Sequence, residues 1–111
     1  MLKIERQGSV DVLRPRGPLR GELLQDAKNA TSLLIRSGWP ALVLDLSQTL
    51  LLSGESLEWL LELDRQCADR GGSLHLAAPS DLCADALRVT GVGQSLQQFA
   101  DVSTAVGRFA T

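Results

Sequence analysis

Apolar and polar residues alternate over residues 2–6 and again over 10–14, with Gln7, Gly8 and Ser9 between the two runs. A period of two puts alternate side chains on opposite faces of a strand, so two strands joined as a hairpin are expected. Pro15 ends or edges the second strand, and the stretch GPLRG at 17–21 reads as a loop. The period then changes. Over residues 22–37, Leu23, Leu24, Ala27, Ala30, Leu33 and Leu34 recur at helical spacing and predict one apolar helix face. Gly38 is a natural stop and Pro40 blocks continuation. The run ALVLDL at 41–46 is almost continuously apolar, which suits a central strand covered on both sides.

A second helix is predicted over residues 53–70. Ser53 can cap it by accepting from an amide of the first turn, and Glu55 sets an anion near the positive end of the helix dipole. Leu57, Leu60, Leu61, Cys67 and Ala68 form its expected inward face, interrupted by Asp64, and Gly71 with Gly72 closes it. A short strand follows at 73–78. A third helix starts at Pro79 and Ser80 and runs to about Thr90, with Leu82, Cys83, Ala86 and Leu87 inward. After Gly91, Val92 and Gly93 come a last strand at 95–100 and a closing helix at 101–109. The order β-β-α-β-α-β-α-β-α predicts a single α/β domain. Its five-stranded sheet is mixed but mainly parallel, with about four helices and the first strands as an antiparallel edge.

Composition narrows the function. A chain of 111 residues fits one domain, and 44% hydrophobic against 22% charged residues supports a core, which excludes disorder. Eleven Lys and Arg face thirteen Asp and Glu, giving a net charge of -2, without the cationic excess that nucleic-acid backbones require. Trp39, Trp59, Phe99 and Phe109 are too few aromatics for a stacking platform. No apolar run approaches the ~20 residues of a membrane-spanning helix, so no direct membrane insertion is expected. The alternating, acid-bearing start reads as a strand and not as a secretion signal.

Candidate chemistry is sparse. A Ser-His-Asp site must use His75, the sole histidine, yet His75 lies in mid-strand between Leu74 and Leu76 and reads as structural. Cys67 and Cys83 read as small core thiols. The glycine pair Gly91 and Gly93 follows a helix instead of a strand and lacks a third glycine, so no dinucleotide loop is expected. Glu55, Glu58, Glu62 and Asp64 share one helix and read as a solvated acidic face, with no second element to complete a metal site. No cofactor is implied. Trp39 and Trp59 are expected to pack on their neighbours, Trp59 being the better candidate for a partner contact. The informative place is the turn from the central strand into the second helix. There a strand's carboxyl end meets helix amides that favour anions, and the hydroxyls of Ser53 and Ser56 are candidate phosphate acceptors.

The sequence resembles the STAS domains, named for sulfate transporters and anti-sigma factor antagonists. The resemblance rests on LVLDLS at 42–47, LEWLLEL at 57–63, DRGGSLHL at 69–76, Ala78-Pro79-Ser80 and LRVTGV at 87–92, in order and without gaps. It implies a small cytoplasmic switch protein. Such a protein binds an anti-sigma factor, a serine kinase of histidine-kinase-like ATPase fold, and is controlled by phosphorylation on the turn. This chain departs from the pattern at two points. The family's D-S-S-G falls on Ser53, Gly54, Glu55 and Ser56, so Gly54 stands at the usual phosphoacceptor position. The family's G-E-L-D reads here as Gly17-Pro18-Leu19-Arg20. The expectation is therefore a degenerate, non-enzymatic member. It would dock a partner through Arg20, an exposed corner at Ser53, Gly54, Glu55 and Ser56, and Trp59, with Glu55 as a permanent negative charge. The alternative is a STAS scaffold subunit of a membrane transport complex, steadying an ATPase.

Overall fold

The two alternating runs at the start pair as expected: β1 (Leu2–Gln7) and β2 (Val10–Pro15) are antiparallel, turning at Gly8 with φ 64°. The structure is a computed structural model describing residues 1–36 and 38–110. Next come β3 (Gly17–Leu19), α1 (Gly21–Ile35), β4 (Ala41–Asp45), β5 (Thr49–Leu52), α2 (Gly54–Asp69) and β6 (Ser73–Ala77). The chain ends with α3 (Asp81–Thr90), a 3-10 turn at Val92–Ser95, β7 (Gln97–Phe99), α4 (Val102–Gly107) and a 3-10 turn at Arg108–Ala110. The expected end of the first helix, Ser37, lies outside the described residues.

Five strands form one sheet in the order β1-β2-β4-β6-β7, antiparallel only between β1 and β2. This is the expected α/β architecture. A second sheet of two parallel strands, β3 and β5, was not expected. The 17–21 stretch is thus a strand in part. Three residues carry too little periodicity to announce it, and its partner β5 lies far along the chain. The last strand is shorter than the predicted 95–100, because Val92–Ser95 continues as a 3-10 turn.

The sheet has two unequal faces. Leu13, Leu42, Leu44, Leu74 and Leu76 point to the larger face and join Leu24, Leu60, Leu63, Cys67 and Leu87 in the main core. Val10, Val12, Val43 and Ala77 point the other way and meet Ala105 of α4. One six-residue helix covers this second face.

Helix faces differ from the sequence pattern at their borders. Leu33, Leu61 and Leu82, expected inward, are exposed at 66%, 39% and 66%. Ala68 is also exposed, while Thr31, Ile35, Ser56, Trp59 and Leu63 are buried instead. An apolar stripe wider than its contact area leaves residues at its margins in water, and neighbouring elements decide which. Trp39, expected to pack, is 86% exposed, its ring lying over Gly71 and otherwise in solvent. The turn after α2 is tight: a Cβ on Gly72 would lie 2.0 Å from the Pro40 carbonyl oxygen, which accepts from the Ser73 amide at 2.9 Å.

Candidate functional site

The turn into α2 is built around Ser53. Its Oγ accepts from the Ser56 amide at 3.0 Å, the cap expected from the sequence, and donates to the Leu19 carbonyl at 3.1 Å. One hydroxyl therefore starts the helix and ties it to the end of β3. The Ser56 hydroxyl donates back to the Ser53 carbonyl at 2.8 Å. Ser56 is fully buried by this reciprocal arrangement, so the corner is exposed at Gly54 and Glu55 but not at Ser56. This corrects the expectation of four exposed residues: the first-turn residue three after a cap points back under the turn. Of the two candidate phosphate acceptors, only Ser53 is partly accessible, and its oxygen is already committed twice.

Glu55 projects from the first turn with 68% of its side chain exposed, and the Lys28 ammonium of α1 donates to its Oε1 at 3.1 Å. This bridge spans 27 residues and was not foreseen. It closes one end of a cleft of about 370 Å³ between α1 and α2, bordered by Glu55, Glu58, Trp59 and Glu62. Trp59 is 8% exposed, so it offers a partner only the edge that reaches this cleft. The rest of its ring packs in the main core, as expected of a tryptophan packed on its neighbours. Arg20 stands exposed at the start of α1, next to Leu19, to which Ser53 is bound. Leu50 and Leu82, 61% and 66% exposed, share a neighbouring hollow with Ser47 and Ser80.

No nucleophile with a base is assembled among the described residues. His75 is 3% exposed; its Nδ1 lies 2.8 Å from the Ala105 carbonyl, and its ring stacks on Phe109 with centroids 3.9 Å apart. It holds α4 and the following turn against the sheet. Cys67 and Cys83 are buried free thiols, as expected. Burial, with a smaller contribution from Asp64, pushes the Cys67 thiol up to about 12, so it stays protonated at neutral pH. Among the described residues no group of His, Cys, Asp and Glu could hold a metal ion, and no helix is long and apolar enough to cross a membrane.

A second polar feature lies on the α4 side of the sheet, where sequence reasoning had identified nothing. The Arg14 Nε donates to Asp45 Oδ2 at 2.6 Å, and Arg14 Nη2 lies 3.4 Å from Glu5 Oε1. Asp45 also accepts from the Ser47 amide at 3.0 Å. Burial alone would raise the Asp45 carboxyl. The hydrogen bonds from Arg14 and Ser47 and the guanidinium charge outweigh it, and the carboxyl lies below its usual range.

Comparison with known proteins gives the family. The family model described as "Mlab, STAS domain" matches residues 2–98. No curated protein matched significantly by sequence. Among solved structures, a Thermotoga maritima protein assigned as an anti-sigma factor antagonist is 18% identical at a TM-score of 0.90, covering 99% of this chain and 95% of its own. An anti-sigma factor antagonist from Mycobacterium paratuberculosis is 18% identical at 0.83, covering 100% and 94%. The Bacillus anti-sigma factor antagonist SpoIIAA, in its unphosphorylated form, is 17% identical at 0.83, covering 99% and 96%. At such identities these likenesses establish the fold. The family match, spanning nearly the whole chain, establishes more: this protein belongs to the family of Mlab-type STAS domains.

Proposed function

We propose that the chain is a non-enzymatic docking module that binds a protein partner through the amino end of α2. Arg20, Ser53, Gly54 and Glu55 form the contact, with Ser56 and Trp59 behind it. The observation that carries this reading is exposure combined with rigidity at the corner. Gly54 and Glu55 face solvent, while the backbone beneath them is held by Ser53 and Ser56 and the Glu55 side chain is bridged to Lys28. A preorganised surface loses little freedom on binding.

The partner class is an anti-sigma factor or serine kinase of histidine-kinase-like ATPase fold, in a cytoplasmic partner-switching pathway. Three structurally similar proteins bear the name anti-sigma factor antagonist, which supports this class. The chain would act without the usual phosphoacceptor, because Gly54 has no hydroxyl. Glu55 supplies a fixed charge there, smaller than that of a phosphate and with fewer acceptor oxygens. The same glycine favours a second reading, a scaffold subunit that steadies the ATPase of a membrane transport complex and needs no switch. The Mlab-type family match is in line with it.

Affinity capture of the native protein with mass-spectrometric identification separates the two readings. A soluble ATPase-fold kinase supports switching, and a transporter ATPase supports the scaffold. Glu55→Lys combined with Ser53→Ala should weaken either complex about tenfold or more while circular dichroism stays native. An unchanged complex would move the contact elsewhere.

A further inference from the structure

We infer that the chain carries a second binding site, for a phosphate group, on the α4 side of the sheet where β1, β2 and β4 meet. A hollow of about 350 Å³ lies there, lined by Lys3, Arg14, Arg16, Asp45, Ser47 and Gln48. None of these residues belongs to the α2 corner, so the inference goes beyond the docking reading and does not rest on it.

Register places the cations. Lys3 and Arg14 are direct cross-strand partners in the β1–β2 pair, so their side chains leave the same face of the sheet. Arg14 shares that face with Val10 and Val12, and Arg16, two residues on, lines the same hollow. Like charges directly opposite one another on a sheet are destabilising, and a third cation beside them adds to the repulsion. The protein answers only part of it. Asp45 and Glu5 take up Arg14. Among the described residues Lys3 and Arg16 have no ion pair. Three cations thus face two carboxylates, leaving one positive charge in surplus, which one monoanion would neutralise.

Arg14 is also preorganised. Buried Asp45, itself held by the Ser47 amide, fixes the guanidinium through Nε, and a guanidinium has five N–H donors, so donors remain for a ligand. Ser47, whose amide and hydroxyl both turn to Asp45, and Gln48 complete the lining. Cations at three separate positions suit a tetrahedral oxoanion, with its several acceptor oxygens, better than a flat carboxylate with two. The hollow is open to solvent and leaves room beside a bound phosphate for the remainder of a phosphate ester. The position agrees with the general rule that open α/β sheets bind ligands at the carboxyl ends of their parallel strands, since Asp45 is the last residue of β4.

The test is a titration of the full chain with inorganic phosphate, followed by amide NMR shifts, and in parallel flotation with vesicles of phosphatidylcholine alone or with phosphatidylglycerol added. Saturable shifts are expected at Arg14, Arg16, Ser47 and Gln48. Lys3→Ala with Arg16→Ala should weaken binding about tenfold or more. Both side chains are exposed and unpaired, so this variant should fold. Arg65→Ala with Arg88→Ala, elsewhere on the surface, should change nothing. Saturation by phosphate without vesicle binding assigns the site to a free, water-soluble phosphate. Vesicle binding that needs phosphatidylglycerol and the two cations identifies a lipid headgroup. Shifts that never saturate, or that respond equally to both double variants, together with no selective vesicle binding, would overturn the site.

Discussion

Ser53→Ala isolates the hinge on which the corner depends. The substitution removes the acceptor of the Ser56 amide and the donor to the Leu19 carbonyl, at 3.0 and 3.1 Å. Losing a serine cap costs about 0.5–2 kcal/mol. The Ser56 amide sits in a fully buried residue, which moves the cost to the upper half of that range, and the lost tie to β3 adds about 0.5–1 kcal/mol. The sum is about 2 kcal/mol, or roughly 6–10 °C in Tm for a domain of this size. Urea unfolding followed by circular dichroism measures it directly. Ser53→Thr keeps both hydrogen bonds and should recover most of the loss. Ser53→Asp keeps the cap acceptor but cannot donate to Leu19, so it should fall between. A Ser53→Ala loss under about 0.5 kcal/mol, or Asp performing as well as Thr, would refute the double role assigned to this hydroxyl.

Three further substitutions probe the fold. The Asp45 carboxyl is depressed in the folded chain, so the unfolded chain binds more protons around its ordinary pKa. Its contribution is then complete above about 3.9 and is lost as pH falls toward the folded value. Asp45→Asn should cost about 2 kcal/mol at neutral pH and flatten that acid limb in chemical denaturation across pH; Asp64, raised by burial, acts in the opposite sense and is common to both proteins. Gly72→Ala would force a Cβ to within 2.0 Å of the Pro40 carbonyl oxygen and should cost about 2–3 kcal/mol by thermal unfolding. Gly107→Ala, with nothing within 4 Å, should leave Tm unchanged or raised.

Much of the fold is legible because its periods are local. Alternation over residues 2–6 and 10–14 gives the hairpin, and the near-continuous 41–46 run gives the doubly covered strand. The β3–β5 sheet escapes this logic, because strands of three and four residues are defined by pairing across more than thirty positions. The exposure of Leu33 and Leu82 escapes it for a related reason: helical periodicity names a stripe, while packing sets the stripe's width. At the candidate site, the Ser53 cap is a local rule and is readable. The burial of Ser56 follows from the same cap but concerns the opposite side of the turn. Lys28 with Glu55, and Arg14 with Asp45, join residues 27 and 31 positions apart, and no sequence pattern pairs them.

On the proposed reading the α2 corner works by contact alone, with its charge fixed. Intact-mass measurement of the chain after incubation with its captured partner and ATP tests this most directly. A stable complex and an unmodified mass are expected. Stoichiometric addition of one phosphate at Ser53 or Ser56, with release of the partner, would contradict it.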